Sequence, residues 1–141
     1  MGKLIFVLVL VFASCAVTAT VGIKRGWVQV FDDDESTTYV YPTSIHRQGE
    51  KAVMWSLVAF KKPQTNPRAK DTFRSERSEE EYDCQGRQFR TLSYSFHREK
   101  MGIGAAIYSK ATPDQWQVVL PDSDIEILWK IACGVIKAYA M

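Results

Sequence analysis

Covalent or metal chemistry in this chain would have to run through three cysteines, two histidines and a few clusters of acids. Cys84 is the most suggestive of these. In "EEEYDCQGRQFRTLSYSF", residues 79–96, it separates an acidic run from a basic, aromatic stretch. A thiolate nucleophile needs a histidine or similar base beside it, and nothing local to Cys84 supplies one. Structural zinc needs four ligands at short spacings, and neither His46 nor His97 stands at ligand spacing from a cysteine. Paired carboxylates for acid–base work are available within Glu79 to Asp83. Adjacent acids on a strand point to opposite faces, however, so that run reads as a solvated edge. Asp32 to Glu35 lack the ligand spacing and distal glutamate of a calcium loop and read as a turn. "Gly102-Ile103-Gly104-Ala105" is followed by a β-like segment, which makes it a hairpin turn rather than a phosphate cradle. No metal or cofactor is expected, and no nucleophile, base and orienting group assemble into a catalytic set.

The compartment in which the thiols work is written in the first residues. "MGKLIFVLVLVFASCAVTATVG" carries one early cation, Lys3, an unbroken apolar run from Leu4 to Phe12, and then small residues. That is the layout of a secretory signal, and the run is too short to cross a bilayer as a stable helix. Val17-Thr18-Ala19 offers small residues to a general signal peptidase, giving a signal peptide over residues 1–19 and cleavage between Ala19 and Thr20. The alternative is a lipobox at Phe12-Ala13-Ser14-Cys15, with Cys15 as the lipidated first residue; phenylalanine stands where that motif favours leucine. Both routes export the chain and place a short linker over 20–26 before one domain over 27–141. Hydrophobic residues at 46% and charged residues at 24% are ordinary for a single globular core. A net charge of +2 argues for neither nucleic acid nor an anionic membrane as partner.

Export leaves Cys84 and Cys133 as an even pair in an oxidising compartment, which reads as a disulfide. Such a bridge closes a loop of about 50 residues and contributes on the order of 4 kcal/mol in the chain-entropy model. The elements it joins are strands and one helix. Trp27 to Phe31 and Thr37 to Tyr41 alternate, with Asp32 to Glu35 between them. "KAVMWSLVAFK" is apolar on both alternating sets and reads as a central strand. Pro63 to Lys70 reads as a polar loop. Phe73 to Cys84 reads as an exposed or edge strand, its Glu79-Glu80-Glu81 triplet being open to a helical turn instead. Arg87 to Phe96 alternates with Arg90, Leu92, Tyr94 and Phe96 on one face; Ile103 to Tyr108 and Trp116 to Leu120 follow as strands. Ser123 and Glu126 then form a capping-box signature before an apolar stripe at Ile125, Leu128, Trp129, Ala132, Cys133 and Ile136. The fold class is α+β: a small antiparallel β-sheet of about six strands, with a C-terminal helix packed on it and tied by a disulfide.

The ordered set Trp27, "YVYPTSIHRQGEKAVMW", "YDCQGRQFR", "MGIGAAIYS", Trp116 and "PDSDIEILWKIAC" resembles the surface-adhesin protein E-like domain of Gram-negative bacteria, over about residues 27–133. The resemblance implies a small antiparallel sheet with a C-terminal helix held to it by a disulfide, and Cys84 and Cys133 match the family's cysteine pair. Tyr41 departs from the family's aspartate and Asp122 from its glycine, both at turn or loop positions. The resemblance also implies an adhesin-like role, with no motif that carries binding residues across.

For function, Arg87, Arg90, Tyr94, Phe96, His97 and Arg98 mix cations with aromatics, a composition enriched in protein interfaces. The expected protein is an exported, non-enzymatic binding module of the bacterial cell envelope, periplasmic or at the outer-membrane surface. It would recognise a protein or an envelope component through Arg87, Arg90, Tyr94 and Arg98. It would bind no nucleic acid and meet the membrane only through a lipid anchor at Cys15. The alternative is an envelope-structural homodimer that pairs through its sheet and has no soluble ligand.

Overall fold

Period-two patterning becomes strand almost wherever the sequence carries it. The computed structural model describes residues 26–67 and 70–138; the signal segment, the Ala19–Thr20 junction and Cys15 lie outside the described residues. The strands are β1 (Val28–Asp32), β2 (Ser36–Val40), β3 (His46–Gln48), β4 (Lys51–Thr65), β5 (Thr72–Asp83), β6 (Gln88–His97), β7 (Ala106–Lys110) and β8 (Gln117–Val118). They form one antiparallel sheet in the order β1-β2-β4-β5-β6-β7, with β3 also on β4 and β8 also on β6. Among the described residues one α-helix, α1 (Asp124–Ala132), lies on the sheet. The α+β architecture expected from the sequence is the one observed.

Within the long strands β4 and β5, two details differ from expectation. The charged stretch from Phe73 is not an edge but β5, paired along its length between β4 and β6. Its buried positions are polar ones that the fold can satisfy: Ser75, Ser78 and Glu80 are buried beside Phe73 and Tyr82. The predicted loop from Pro63 is partly strand, because β4 runs on to Thr65 across a register shift between Ala59 and Gln64. An irregularity of that kind is where a strand accommodates a proline.

The core sits between one sheet face and the helix. Val30, Val40, Ala52, Met54 and Tyr82 meet Val119, Leu128, Trp129, Ile131 and Ala132 there. A helical stripe of four buried side chains is enough to hold so short a helix, which propensity alone would leave marginal in water. Gly134, at φ 77°, ends it: its amide bonds Ile131 and that of Val135 bonds Lys130, the paired bonds of a Schellman turn. Ile136, predicted on the stripe, therefore falls outside the helix and is 41% exposed.

Every part of α1 is tied to the sheet. Cys84, just past β5, bonds Cys133 with a Cα–Cα separation of 5.5 Å. The Trp129 indole donates to the Asp83 carbonyl at 2.9 Å. Arg47, at the centre of β3, donates to the carbonyls of Ala132 (2.7 Å) and Ile131 (3.3 Å), placing a cation at the negative end of the helix. The predicted capping box takes another form. Ser123 is the N-cap but gives its hydroxyl to the Leu120 carbonyl, and Glu126 reaches back to the Asp122 amide instead. The left-handed turn at Asp122, φ 57°, brings that amide to the Glu126 carboxylate.

Candidate binding surface

The four residues singled out as a partner surface are distributed rather than gathered. Arg87, at φ 49° in the β5–β6 turn, pairs with Glu126 at 2.9 Å and lies over the Trp129 ring; it secures the helix. Arg98 pairs with Asp71 at 2.6 Å. Arg90 pairs with Glu81 at 2.6 Å and lies 4.6 Å from the Trp116 ring centroid. Tyr94 belongs to an aromatic stack with Phe96 and Tyr108, which continues through Phe73 to Phe60. Uniform alternation would put Arg90 and Tyr94 on one face. The register shift between Glu79 and Glu80 sets Ser93 opposite Glu79 and Thr91 opposite Glu80, leaving Leu92 unpaired with β5. One extra residue reverses the alternation, so Arg90 and Tyr94 point to opposite faces.

The face away from α1 carries a row that is not apparent from sequence spacing. At one end Lys51 and Arg90 both approach the Trp116 ring, at 4.4 and 4.6 Å from its centroid, while pairing with Asp83 and Glu81. Four residues along β4, about 13 Å away, stands Trp55. Arg77 lies between Trp55 and Trp27, its guanidinium carbon 5.4 and 5.9 Å from the two centroids, and Tyr41 packs on Trp27 at 5.3 Å. All these side chains are half-buried.

Local backbone chemistry fixes this row. The 3-10 turn Pro42–Ser44 ties Tyr41 to Trp55: the Tyr41 amide bonds the Trp55 carbonyl, and the Trp55 amide donates to the Ser44 hydroxyl at 3.0 Å. The β6–β7 connection folds over the neighbouring part of the same face. Ser75 pins it by donating to the Glu99 carbonyl at 2.5 Å and accepting from the Gly102 amide at 2.9 Å. Gly102 has φ 64° and rests on the Arg77 stem, where any Cβ would overlap the arginine. His97, a base by residue type alone, is buried here between the Ser95 hydroxyl (3.0 Å) and the Gly104 carbonyl (3.1 Å). Both ring nitrogens are thus occupied in holding the turn. Among the described residues no three His, Cys, Asp or Glu side chains gather as a metal-binding group.

The helix-side face holds the unusual electrostatics. Glu80 is buried between the hydroxyls of Tyr82 (2.7 Å) and Ser56 (3.0 Å), and burial pushes its carboxyl up to about 6. Burial raises Glu76 as well, and raises the Tyr82 phenol well above its ordinary value. At the helix ties the shifts reverse. The hydrogen bond from Lys51 holds Asp83 below the usual carboxylate range, and that from Arg87 does the same for Glu126.

Signals for the missed residues were present but not joined. Trp27, Trp55 and Arg77 come from three strand regions, and only the antiparallel register that sets Leu57 opposite Arg77 makes them neighbours.

Comparison with known proteins agrees with this architecture. The solved structure of Haemophilus influenzae protein E superposes with a TM-score of 0.61 at 19% identity, over 81% of this chain and 88% of that one. Protein E from non-typeable Haemophilus influenzae gives a TM-score of 0.63 at 17% identity, over 84% and 82%. At such identities the likeness is one of fold. No curated protein matches by sequence. The family model for surface-adhesin protein E matches residues 27–134, a span holding every described strand, the described helix and both bridged cysteines. The chain belongs to the surface-adhesin protein E family.

Proposed function

We propose that this protein is an exported, non-enzymatic binding module of the bacterial envelope that acts in an adhesin-like way. It recognises a protein through the sheet face opposite α1. The supporting observation is the row Tyr41, Trp27, Arg77, Trp55 and Trp116 with its two cations, half-exposed on a face that the helix leaves uncovered. Tryptophan, tyrosine and arginine are the side chains that dominate binding energy at protein interfaces. In this reading Arg90, one of the contact residues expected from sequence, belongs to the row through Trp116. Arg87 and Arg98 serve Glu126 and Asp71, and Tyr94 serves the aromatic stack on the other face. Removal of residues 1–19, or lipidation at Cys15, would deliver the domain to the periplasm or the outer-membrane surface.

Adherence of cells to an epithelial monolayer tests this directly. Cells carrying Trp55→Ala together with Trp116→Ala should adhere severalfold less than wild type at equal surface amount and equal Tm. Undiminished adherence removes this face from the reading.

The second reading, a structural protein that dimerises through its sheet, draws on β7, whose outer edge carries no partner strand among the described residues. An open edge is a template for pairing with another chain. Sedimentation of a tight dimer, disrupted by a proline within β7 and indifferent to the tryptophan changes, would favour it.

A further inference from the structure

Arg77 differs from the other arginines in how it is partnered. Arg87, Arg90 and Arg98 each hold a carboxylate, Arg47 holds two helix carbonyls, and Arg74 donates to the Lys61 carbonyl. Among the described arginines Arg77 alone makes neither an ion pair nor a hydrogen bond, and its buried Nε has no partner. Buried or half-buried guanidinium groups are normally paired, because removing such a charge from water is costly. Here two indoles supply only a cation–π attraction. Glu79, two residues along the same face, is used by the Ser93 hydroxyl instead. The stem lies against Gly102 and Nε is buried, so what this half-buried residue shows to solvent is the end of its fork.

We infer that Arg77 is an anion-receiving contact, and that its occupant is a carboxylate side chain of a partner polypeptide. The inference rests on the proposed recognition face and names the chemistry of its partner. A rigid fork lacking an acid matches a carboxylate in two-point geometry, and its rotamer is already fixed before binding. Charge on the rest of the row selects a polypeptide over a polyanionic glycan. Glu79, Glu81 and Asp83 share this face, so a ligand bearing sulfates throughout would bring them against acids. A polypeptide can set one carboxylate at Arg77 and neutral or basic groups elsewhere.

The test is an NMR titration of the folded domain, following the Arg77 Nε–H and the Trp27 and Trp55 indole resonances. The probes are a capped Gly-Ser peptide with two adjacent glutamates, its glutamine counterpart, and a heparin hexasaccharide. The glutamate peptide should shift all three resonances saturably, more weakly as salt is raised, and the glutamine peptide should not. Arg77→Gln should weaken that binding about tenfold, with Arg77→Lys between and Arg98→Gln, outside the row and paired with Asp71, unchanged. Tighter binding of the hexasaccharide overturns the polypeptide occupant, and no shift with any probe overturns the anion contact. Should Arg77→Gln fail to fold, the titrations of the wild-type domain still decide. Adherence separates the recognition face from the Arg77 contact. Loss with Trp55→Ala but not with Arg77→Gln or Arg77→Met leaves the face standing and removes the Arg77 contact. Wild-type adherence in all three removes the face itself.

Discussion

Glu80 shows how far a single residue's setting departs from its chemistry in water. Its carboxyl lies inside the sheet-helix layer with two hydroxyl donors and no cation, so burial raises its pKa from 4.5 to about 6. The folded protein then binds a proton that the unfolded chain releases between those values, and stability falls as pH rises from 4.5 through 6. The contribution at stake is on the order of 2 kcal/mol, since each tenfold change in proton affinity is worth roughly 1.4 kcal/mol. Chemical denaturation should therefore find the domain more stable near about pH 5 than near about pH 7.5. Glu80→Gln, which keeps an acceptor for Ser56 and Tyr82, should raise stability at the higher pH and flatten that dependence; an unchanged slope would show that Glu80 titrates normally. Below about pH 4 the sign reverses, because Asp83 and Glu126, held low by Lys51 and Arg87, must take up protons and lose those bonds. The acidic run containing Glu80 was visible in sequence as charge, but its burial was not. Periodicity tells which residues share a face and not whether another element covers it.

At the scale of elements, α1 depends on its attachments. Nine residues form a weak helix alone, and here the disulfide, the Trp129 indole, Arg47 and Arg87 each fasten a different part of it. Opening the Cys84–Cys133 bridge by a double serine substitution should cost on the order of 4 kcal/mol. That corresponds to a fall in Tm of roughly 15 °C for a domain of this size, measured by calorimetry against wild type without reductant. A shift of only a few degrees would mean that the other ties hold the helix by themselves. The helix start, its apolar stripe and the cysteine pairing were legible, because each is a local spacing or a count. The Arg47 and Arg87 attachments were not, since both arginines come from turns or short strands distant in sequence and acquire their roles only through β4 and β5.

For the whole molecule, export and the oxidised bridge belong together, since the staple needs an oxidising compartment to persist. Intact-mass measurement of protein taken from its native envelope should give a chain beginning at Thr20 that gains the mass of about two hydrogens on reduction. A lipid-bearing chain beginning at Cys15 would instead make it an anchored lipoprotein. By itself the sequence determined the α+β class, where the long strands fall along the chain, the helix and the cysteine pair. These follow from side-chain period, turn residues and compartment, all of which are local or compositional. The tertiary structure alone decided which side chains share a face. Strand register set Arg77 among tryptophans from other strands, and one bulge at Leu92 sent Arg90 and Tyr94 to opposite faces. A shift of a single residue leaves composition untouched and reverses every side chain beyond it, so faces belong to the pairing and not to the string of letters.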